Sequence, residues 1–425
     1  MTTAIRCETQ PEAPRFLVHE KDGCCPAVAS GKHTANNVLR ASGTAPLPRG
    51  FGVLALALLL VTPTIFGQTT TAQRNSLAGD TAATVLPLAT DLSAKLTKKD
   101  VSHAIRKVAD WQLEKARGNF DQDWTFAALY AGFMAVPEAA GGKRYRDAML
   151  EMSKGFQWQP GPRIEHADDH AVGQTYLDLY FQQHDAAMIA PTRERMNAVM
   201  RLKDDPEKPL WWWCDALFMA PPVLAKLSRA TGDREYLDFM DHEWWITSGL
   251  LYSPDDHLYY RDKSFFGAHE ANGSKVFWAR GNGWVFAGLA RVLAEMPADY
   301  PSRPKYVAQF KEMAEKIASL QGADGLWKAG LLHQADYKLP ENSGSAFFAY
   351  GFAYGVNAGI LDKKKYTPVA EKAWRGLLSH VYEDGRLGCI QPIGAAPGAF
   401  TETSSYVYGV GAYLLAGSEI YRLAR

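Results

Sequence analysis

From Val101 onward the chain alternates two kinds of segment with helical periodicity, and this alternation limits the possible folds more than any single residue does. One kind is apolar on nearly every side and rich in Ala and Gly: residues 124–134, 169–181, 215–231, 284–293, 347–360 and 406–423. The other spaces its apolar residues three and four apart with charges between them: residues 101–113, 145–156, 191–202, 236–245, 306–320 and 366–382. Four turns leading into the second kind resemble one another: Gly142-Lys-Arg-Tyr145, Gly232-Asp-Arg-Glu-Tyr236, Pro301-Ser-Arg-Pro-Lys-Tyr306 and Leu361-Asp-Lys-Lys-Lys-Tyr366. A Tyr that opens an amphipathic helix every few tens of residues marks a repeated hairpin. Helices that are apolar all round need neighbours on both flanks, and a closed double ring supplies them without an exposed apolar end. The pattern therefore predicts an all-α domain, an (α/α)6 barrel of about six hairpins. Loops before the inner helices would build a cleft at one end. An open superhelical repeat is the alternative.

The repeat pattern starts late in the chain. Residues 51–61 form an apolar run, preceded by Arg40 and Arg49 and followed by Pro63 and Gly67. The run is too short to span a bilayer, and its basic front and small-residue exit match a secretory signal peptide. We expect residues 1–67 to be a leader, 68–95 a linker and 96–425 a single domain. The protein is expected to be exported, periplasmic or extracellular, with no stable membrane span in the mature chain. Cys7, Cys24 and Cys25 precede the run, which leaves Cys214 and Cys389. Two distant cysteines are no disulfide framework, and no Cys/His spacing suggests zinc, so we expect free thiols, no metal and no cofactor. Lys and Arg number 46 against 46 Asp and Glu, with no basic block, which argues against a nucleic-acid partner.

The unusual residues lie in the loops before the apolar helices. The run Trp211-Trp212-Trp213-Cys214-Asp215 brings three indoles against one carboxylate. A carboxyl group among aromatic rings is poorly solvated when charged, so it tends to hold a proton near neutrality. Indole faces also stack on the apolar faces of sugar rings. A Trp-rich core helix with Asp215 as its N-cap would be written in the same letters. Three further loops carry comparable patterns: Arg163-Ile-Glu-His166-Ala-Asp168-Asp169-His170, Trp278-Ala-Arg280-Gly-Asn-Gly-Trp284 and Glu341-Asn-Ser-Gly-Ser345. Asp-Gly pairs at 324–325 and 384–385, and the segment 254–262, have the composition of turns and short strands.

Taken together and in order, His166-Ala-Asp168-Asp169-His170, Trp213-Cys-Asp215-Ala-Leu-Phe-Met-Ala-Pro221, Trp278-Ala-Arg280-Gly-Asn-Gly-Trp284, Glu341-Asn-Ser-Gly-Ser345 and Tyr408-Gly-Val-Gly resemble the unsaturated rhamnogalacturonyl hydrolases of glycoside hydrolase family 105. The resemblance runs from about residue 101 to the end. It implies an (α/α)6 barrel and an exo-acting hydrolase whose oligosaccharide substrate, made by polysaccharide lyases, ends in a 4,5-unsaturated uronic acid. It also implies Asp215 as general acid, Asp168 as second carboxylate, and Arg280 and Trp284 lining the subsite. Related enzymes carry a His in the loop where this chain has Tyr260-Arg261-Asp262.

The alkene of such a substrate is a vinyl ether, electron-rich at C4. A proton from Asp215 to C4 followed by water at C5 gives a hemiketal that opens and frees the next sugar. Asp168, chosen over Asp169 for its spacing to Tyr180, would orient a hydroxyl or the water, or keep Asp215 protonated by like-charge repulsion. His166, Asp169 and His170 are substrate contacts in this reading. Arg280 offers a fork for the uronate carboxylate, Trp213 and Trp284 offer stacking faces, Trp211 and Trp212 pack, and Glu341 and Ser343 shape the rim. Two other readings fit the fold: an inverting glycosidase with two carboxylates about a saturated bond, and a glycan-binding protein without turnover.

Overall fold

A computed structural model describes residues 78–202, 205 and 209–425 of the chain. The leader and its apolar run at 51–61 lie outside the described residues. Helices follow in chain order: α1 (Lys98–Ala116), α2 (Trp124–Ala135), α3 (Gly142–Gly155), α4 (Ala167–His170), α5 (Gly173–Gln183), α6 (Ala190–Val199) and α7 (Ala216–Met219). They continue with α8 (Pro221–Thr231), α9 (Glu235–Leu251), α10 (Ala279–Glu295), α11 (Arg303–Ser319), α12 (Asn342–Asn357), α13 (Lys363–Leu378) and α14 (Val407–Leu423).

Burial separates these helices into the two predicted kinds. In α10, α12 and α14 nearly every residue is buried, whereas α1 buries only the stripe that includes Val101, Ala104, Ile105, Val108 and Ala109. Inner helices touch in the order α2, α5, α8, α10, α12, α14, and α14 returns to α2, so the ring closes. That closure settles the choice against an open superhelix. It depends on close backbone approach: a Cβ on Gly132 of α2 would stand 2.6 Å from the Gly411 carbonyl oxygen of α14. The outer helices α1, α3, α9, α11 and α13 pack against inner ones.

Two inner helices are broken near their starts, α4 from α5 and α7 from α8. Pro221 and Pro222 explain the second break, because neither ring nitrogen can donate into the preceding turn. The repeated Tyr has a structural role at each outer helix. Its hydroxyl reaches the preceding outer helix: Tyr145 to Asp110 of α1 (2.8 Å), Tyr236 to Asn197 of α6 (2.6 Å), Tyr306 to the Met240 sulfur of α9 (3.6 Å) and Tyr366 to Glu315 of α11 (2.8 Å).

Short strands complete the domain. β1 (Gly79–Thr81) pairs antiparallel with β4 (Ser404–Tyr406), and β2 (Tyr252–Ser253) forms a hairpin with β3 (Leu258–Tyr259). The β1 pairing corrects the expected linker at 68–95. From Ala78 on, that segment is joined to the domain by β1, by Ala89 N–H donating to the Val381 carbonyl (2.8 Å) and by Glu383 N–H donating to the Pro87 carbonyl (2.9 Å). Backbone bridging of this kind leaves no helical periodicity to detect. Among the described residues no helix is long and apolar enough to cross a membrane.

Candidate active site

The starts of the inner helices meet around Trp284. Its ring contacts Trp124 of α2, Phe218 of α7, Phe347 of α12 and Tyr408 of α14, and none of its surface is exposed. Trp284 therefore belongs to the buried layer at this end of the ring, the floor on which the site is built, and the faces of its ring are covered by protein.

Above this floor lie two carboxylates. Asp215 stands at the N-terminal end of α7, yet its side chain makes no capping bond, which removes the N-cap reading. The carboxylate is 12% exposed, with the Cys214 thiol 3.6 Å from Oδ2 and Arg261 Nε 3.5 Å from the same oxygen. Burial raises its pKa, opposed by the charges of Arg261 and Arg280. Asp168, in the first turn of α4, is 17% exposed and is pushed up to about 8. Burial dominates there, the charge of Arg163 opposes it, and the nearby carboxylates Asp123, Asp215 and Asp169 add to the rise.

The two neighbours of Asp168 serve different ends. Asp169 is held by Arg163, through the Arg163 backbone N–H (2.6 Å), Nε (3.0 Å) and Nη2 (2.9 Å), and it fixes the loop instead of facing substrate. His170 is buried, its Nε2 lies 2.7 Å from the Ile164 carbonyl, and burial drives its pKa down to about 4. Both side chains are buried and bonded within the protein. His166 does remain at the site: Nδ1 lies 3.5 Å from Asp168 Oδ2, and its ring lies 4.7 Å from that of Trp213.

The indole roles also change. Trp211 is buried and Trp213 nearly so, while Trp212, expected to pack, is 39% exposed with the Arg261 guanidinium 5.5 Å from its ring. A cavity of about 560 Å³ is bounded by Trp212, Trp213, His166, Glu165, Phe239 and His242. Neither carboxylate lines it, so it adjoins the carboxylate pair at His166 and Trp213.

Arg280 departs furthest from expectation. It is fully buried between Trp278 (4.3 Å) and Tyr408 (4.9 Å), and its fork donates to the carbonyls of Gln391 (2.8 Å) and Pro392 (2.7 Å). Glu341 lies 3.9 Å away; fully buried itself, it caps α12 through Ser343 N–H and Gly344 N–H and is no part of a rim. The following residues serve the same scaffold. Asn282 accepts from Tyr259 N–H (2.7 Å) and donates to the Tyr259 carbonyl (3.0 Å), and so fixes the β2–β3 hairpin. Cys214 N–H donates to the Arg261 carbonyl (2.8 Å), which sets Arg261 beside Asp215.

Arg261 is the residue that sequence reasoning missed, because its partner lies far away in the chain. Trp124, half-buried and stacked on Tyr408 at 5.3 Å, is a second. Its signal was present: Asp123-Trp124 opens an inner helix with the same aromatic and acidic types as Trp213-Cys-Asp215. Cys214 and Cys389 are both buried free thiols. Among the described residues no three His, Cys, Asp or Glu side chains converge as a metal set.

Comparison with known proteins bears on the family and the fold. The sequence pattern of Glycosyl Hydrolase Family 88 matches residues 96–424. The chain belongs to this family. It is a glycoside hydrolase, and a curated relative, the unsaturated 3S-rhamnoglycuronyl hydrolase of Formosa agariphila, is 37% identical over 350 residues, covering 77% of this chain and 92% of the relative. A solved family 88 structure from Bacteroides vulgatus is 32% identical with a TM-score of 0.73, over 77% of this chain and 99% of that one. Another solved structure, described as a polysaccharide lyase, is 33% identical with a TM-score of 0.72, over 77% and 98%. Structures described as possible family 105 members, the family that the motifs resemble, share the fold.

Proposed function

We propose that this family 88 hydrolase removes the 4,5-unsaturated uronic acid from the non-reducing end of lyase-generated oligosaccharides, with rhamnose as the neighbouring sugar. The observation that carries this reading is the pair Asp168 and Asp215, two carboxyl groups at the mouth of the ring that are both biased toward the protonated form. A vinyl ether needs a proton at carbon, and a carboxyl group whose pKa burial raises can deliver it once protonated. The proton passes from Asp215 to C4, the alkene electrons form the C–H bond, and positive charge develops at C5 and the ring oxygen. Water adds at C5 and gives its proton to the Asp215 carboxylate. The hemiketal then opens and the next sugar leaves. The Formosa relative's name supports rhamnose beside the unsaturated residue.

An inverting glycosidase would instead cleave a saturated bond between two carboxyl groups, one of them ionised as base. Lyase-generated oligosaccharides containing rhamnose and a terminal unsaturated uronate test the proposal, with alkene absorbance followed over time. Absorbance should fall. No fall with any such substrate would count against the hydrolase reading, and a rise on intact polymer would indicate a lyase instead. We further infer export, supported by the apolar run at 51–61 and its flanking residues.

A further inference from the structure

Arg261 has a geometry that the reaction so far leaves unused. One arm of its fork is anchored, Nη1 donating to Asp262 at 2.7 Å, and Asp262 is itself held by Ser264 N–H at 2.8 Å. Its Nε is buried without a hydrogen-bond partner and lies 3.5 Å from Asp215 Oδ2. The side chain as a whole is 21% exposed, while Nε itself is covered, and Trp212, whose ring it faces at 5.5 Å, lines the neighbouring cavity. Arg280, the other cation acting on Asp215, has both terminal nitrogens committed to carbonyls and no exposed surface.

Substrate chemistry gives that contact a consequence. In a 4,5-unsaturated uronate the carbon that receives the proton, C4, is bonded to C5, and C5 bears the carboxylate. A donor placed at C4 therefore has the substrate's carboxyl carbon two bonds further on, within reach of a cation that already neighbours the donor. We propose that Arg261 is an exchangeable counter-ion: its Nε faces Asp215 until substrate arrives, then serves the uronate carboxylate, which frees Asp215 to take up the proton it delivers. The inference rests on the hydrolase reading above. Binding then consumes one proton from solvent, Asp215 carboxylate becoming carboxylic acid, and the substrate carboxylate adds repulsion in the same direction. The other groups facing Asp215 are Cys214 on its own segment, Asp262 on the hairpin, Arg280 on α10 and Asp168 on α4. None of them combines a cation with an unpartnered polar atom and access to the cleft.

The test compares wild type, Arg261→Gln and Arg261→Lys in kcat and kcat/KM across pH, using a lyase-generated unsaturated uronyl–rhamnose disaccharide. Since Asp215 must be protonated to act, the alkaline limb of kcat in wild type should lie about one pH unit or more above that of kcat/KM. In Arg261→Gln the kcat/KM limb should move up to meet it and KM should rise about tenfold or more, the loss expected for a charge-assisted contact. Arg261→Lys should keep part of the gap. Coincident limbs in wild type, or an unchanged gap and KM in Arg261→Gln, overturn the proposal. A second measurement needs no turnover: carbon NMR titration of the Asp215 carboxyl in substrate-free enzyme. The titration should shift upward in Arg261→Gln, and an unmoved titration also overturns the proposal. Absence of turnover on every unsaturated substrate would defeat the hydrolase reading, while the NMR titration would still judge the Arg261–Asp215 contact.

Discussion

The floor of the cleft and its rim use the same residue types for opposite purposes. On the floor, Arg280 is sealed between two rings and bonded to two carbonyls, and it fixes the 389–392 loop against α10. On the rim, Arg261 has one arm anchored and an unpartnered Nε near Asp215. The aspartates divide in the same way: Asp169 is clamped by Arg163, and its neighbour Asp168 is left to hold a proton. Residue type therefore does not assign a role. What matters is whether the backbone around a side chain has already used its hydrogen-bonding capacity.

The largest effect should come from the rim. Asp215→Asn removes the proton donor, and turnover measured by alkene decay should fall by about 100- to 10,000-fold, the usual range for general acid–base catalysis. Circular dichroism should be unchanged, because the Asp215 side chain caps no helix. Retained activity would move the acid to another residue and erase the distinction between rim and floor.

The floor should answer in stability. Arg280→Met leaves the Pro392 carbonyl without its Arg280 donor, the Gln391 carbonyl with only the Tyr408 hydroxyl, and the buried Glu341 without its cation, a loss of about 3–5 kcal/mol. Denaturant unfolding should show that loss, whereas Arg261→Gln, whose side chain is 21% exposed, should cost less than Arg280→Met. Equal losses in the two variants would break the comparison.

Asp168 links the rim to pH. Its folded-state pKa, about 8, lies above the ordinary 3.8, so it favours the folded state at low pH and that contribution is lost as pH rises from 3.8 to 8. Asp168→Asn, which cannot ionise, should therefore be more stable than wild type at the alkaline end of this window, by roughly 2 kcal/mol once water access is allowed for. The advantage should shrink on acidification. Chemical denaturation at several pH values checks the slope, and parallel profiles for the two proteins would show that Asp168 is ionised in the folded state.

Much of the ring was legible in the sequence because burial dictates it. Segments apolar on all sides became α10, α12 and α14, and the striped ones became outer helices. Asp168 and Asp215 were legible as carboxylates at helix starts. Arg261 was not, since its position depends on the Cys214–Arg261 backbone bond and on Asn282 holding Tyr259, contacts between distant segments that leave no periodic trace. The burial of Arg280 was hidden for a related reason. The glycines after it do permit close approach, and what approaches Gly281 is the Trp278 ring and the Cys214 sulfur, 3.1 and 3.2 Å from where a Cβ would stand.

The smallest effect sharpens the floor side of the comparison with a neutral strut. Tyr236 on α9 joins α6 through a hydroxyl bond to Asn197, a contact between two uncharged side chains. Tyr236→Phe keeps the buried ring and removes only that bond, and Asn197, partly exposed, can turn to water. The loss should be about 1 kcal/mol by denaturant unfolding, the usual net value of such a bond. Both kcat and its pH profile should match wild type. A loss as large as that of Arg280→Met would mean that the outer ring, rather than the ionic floor, limits the stability of the barrel.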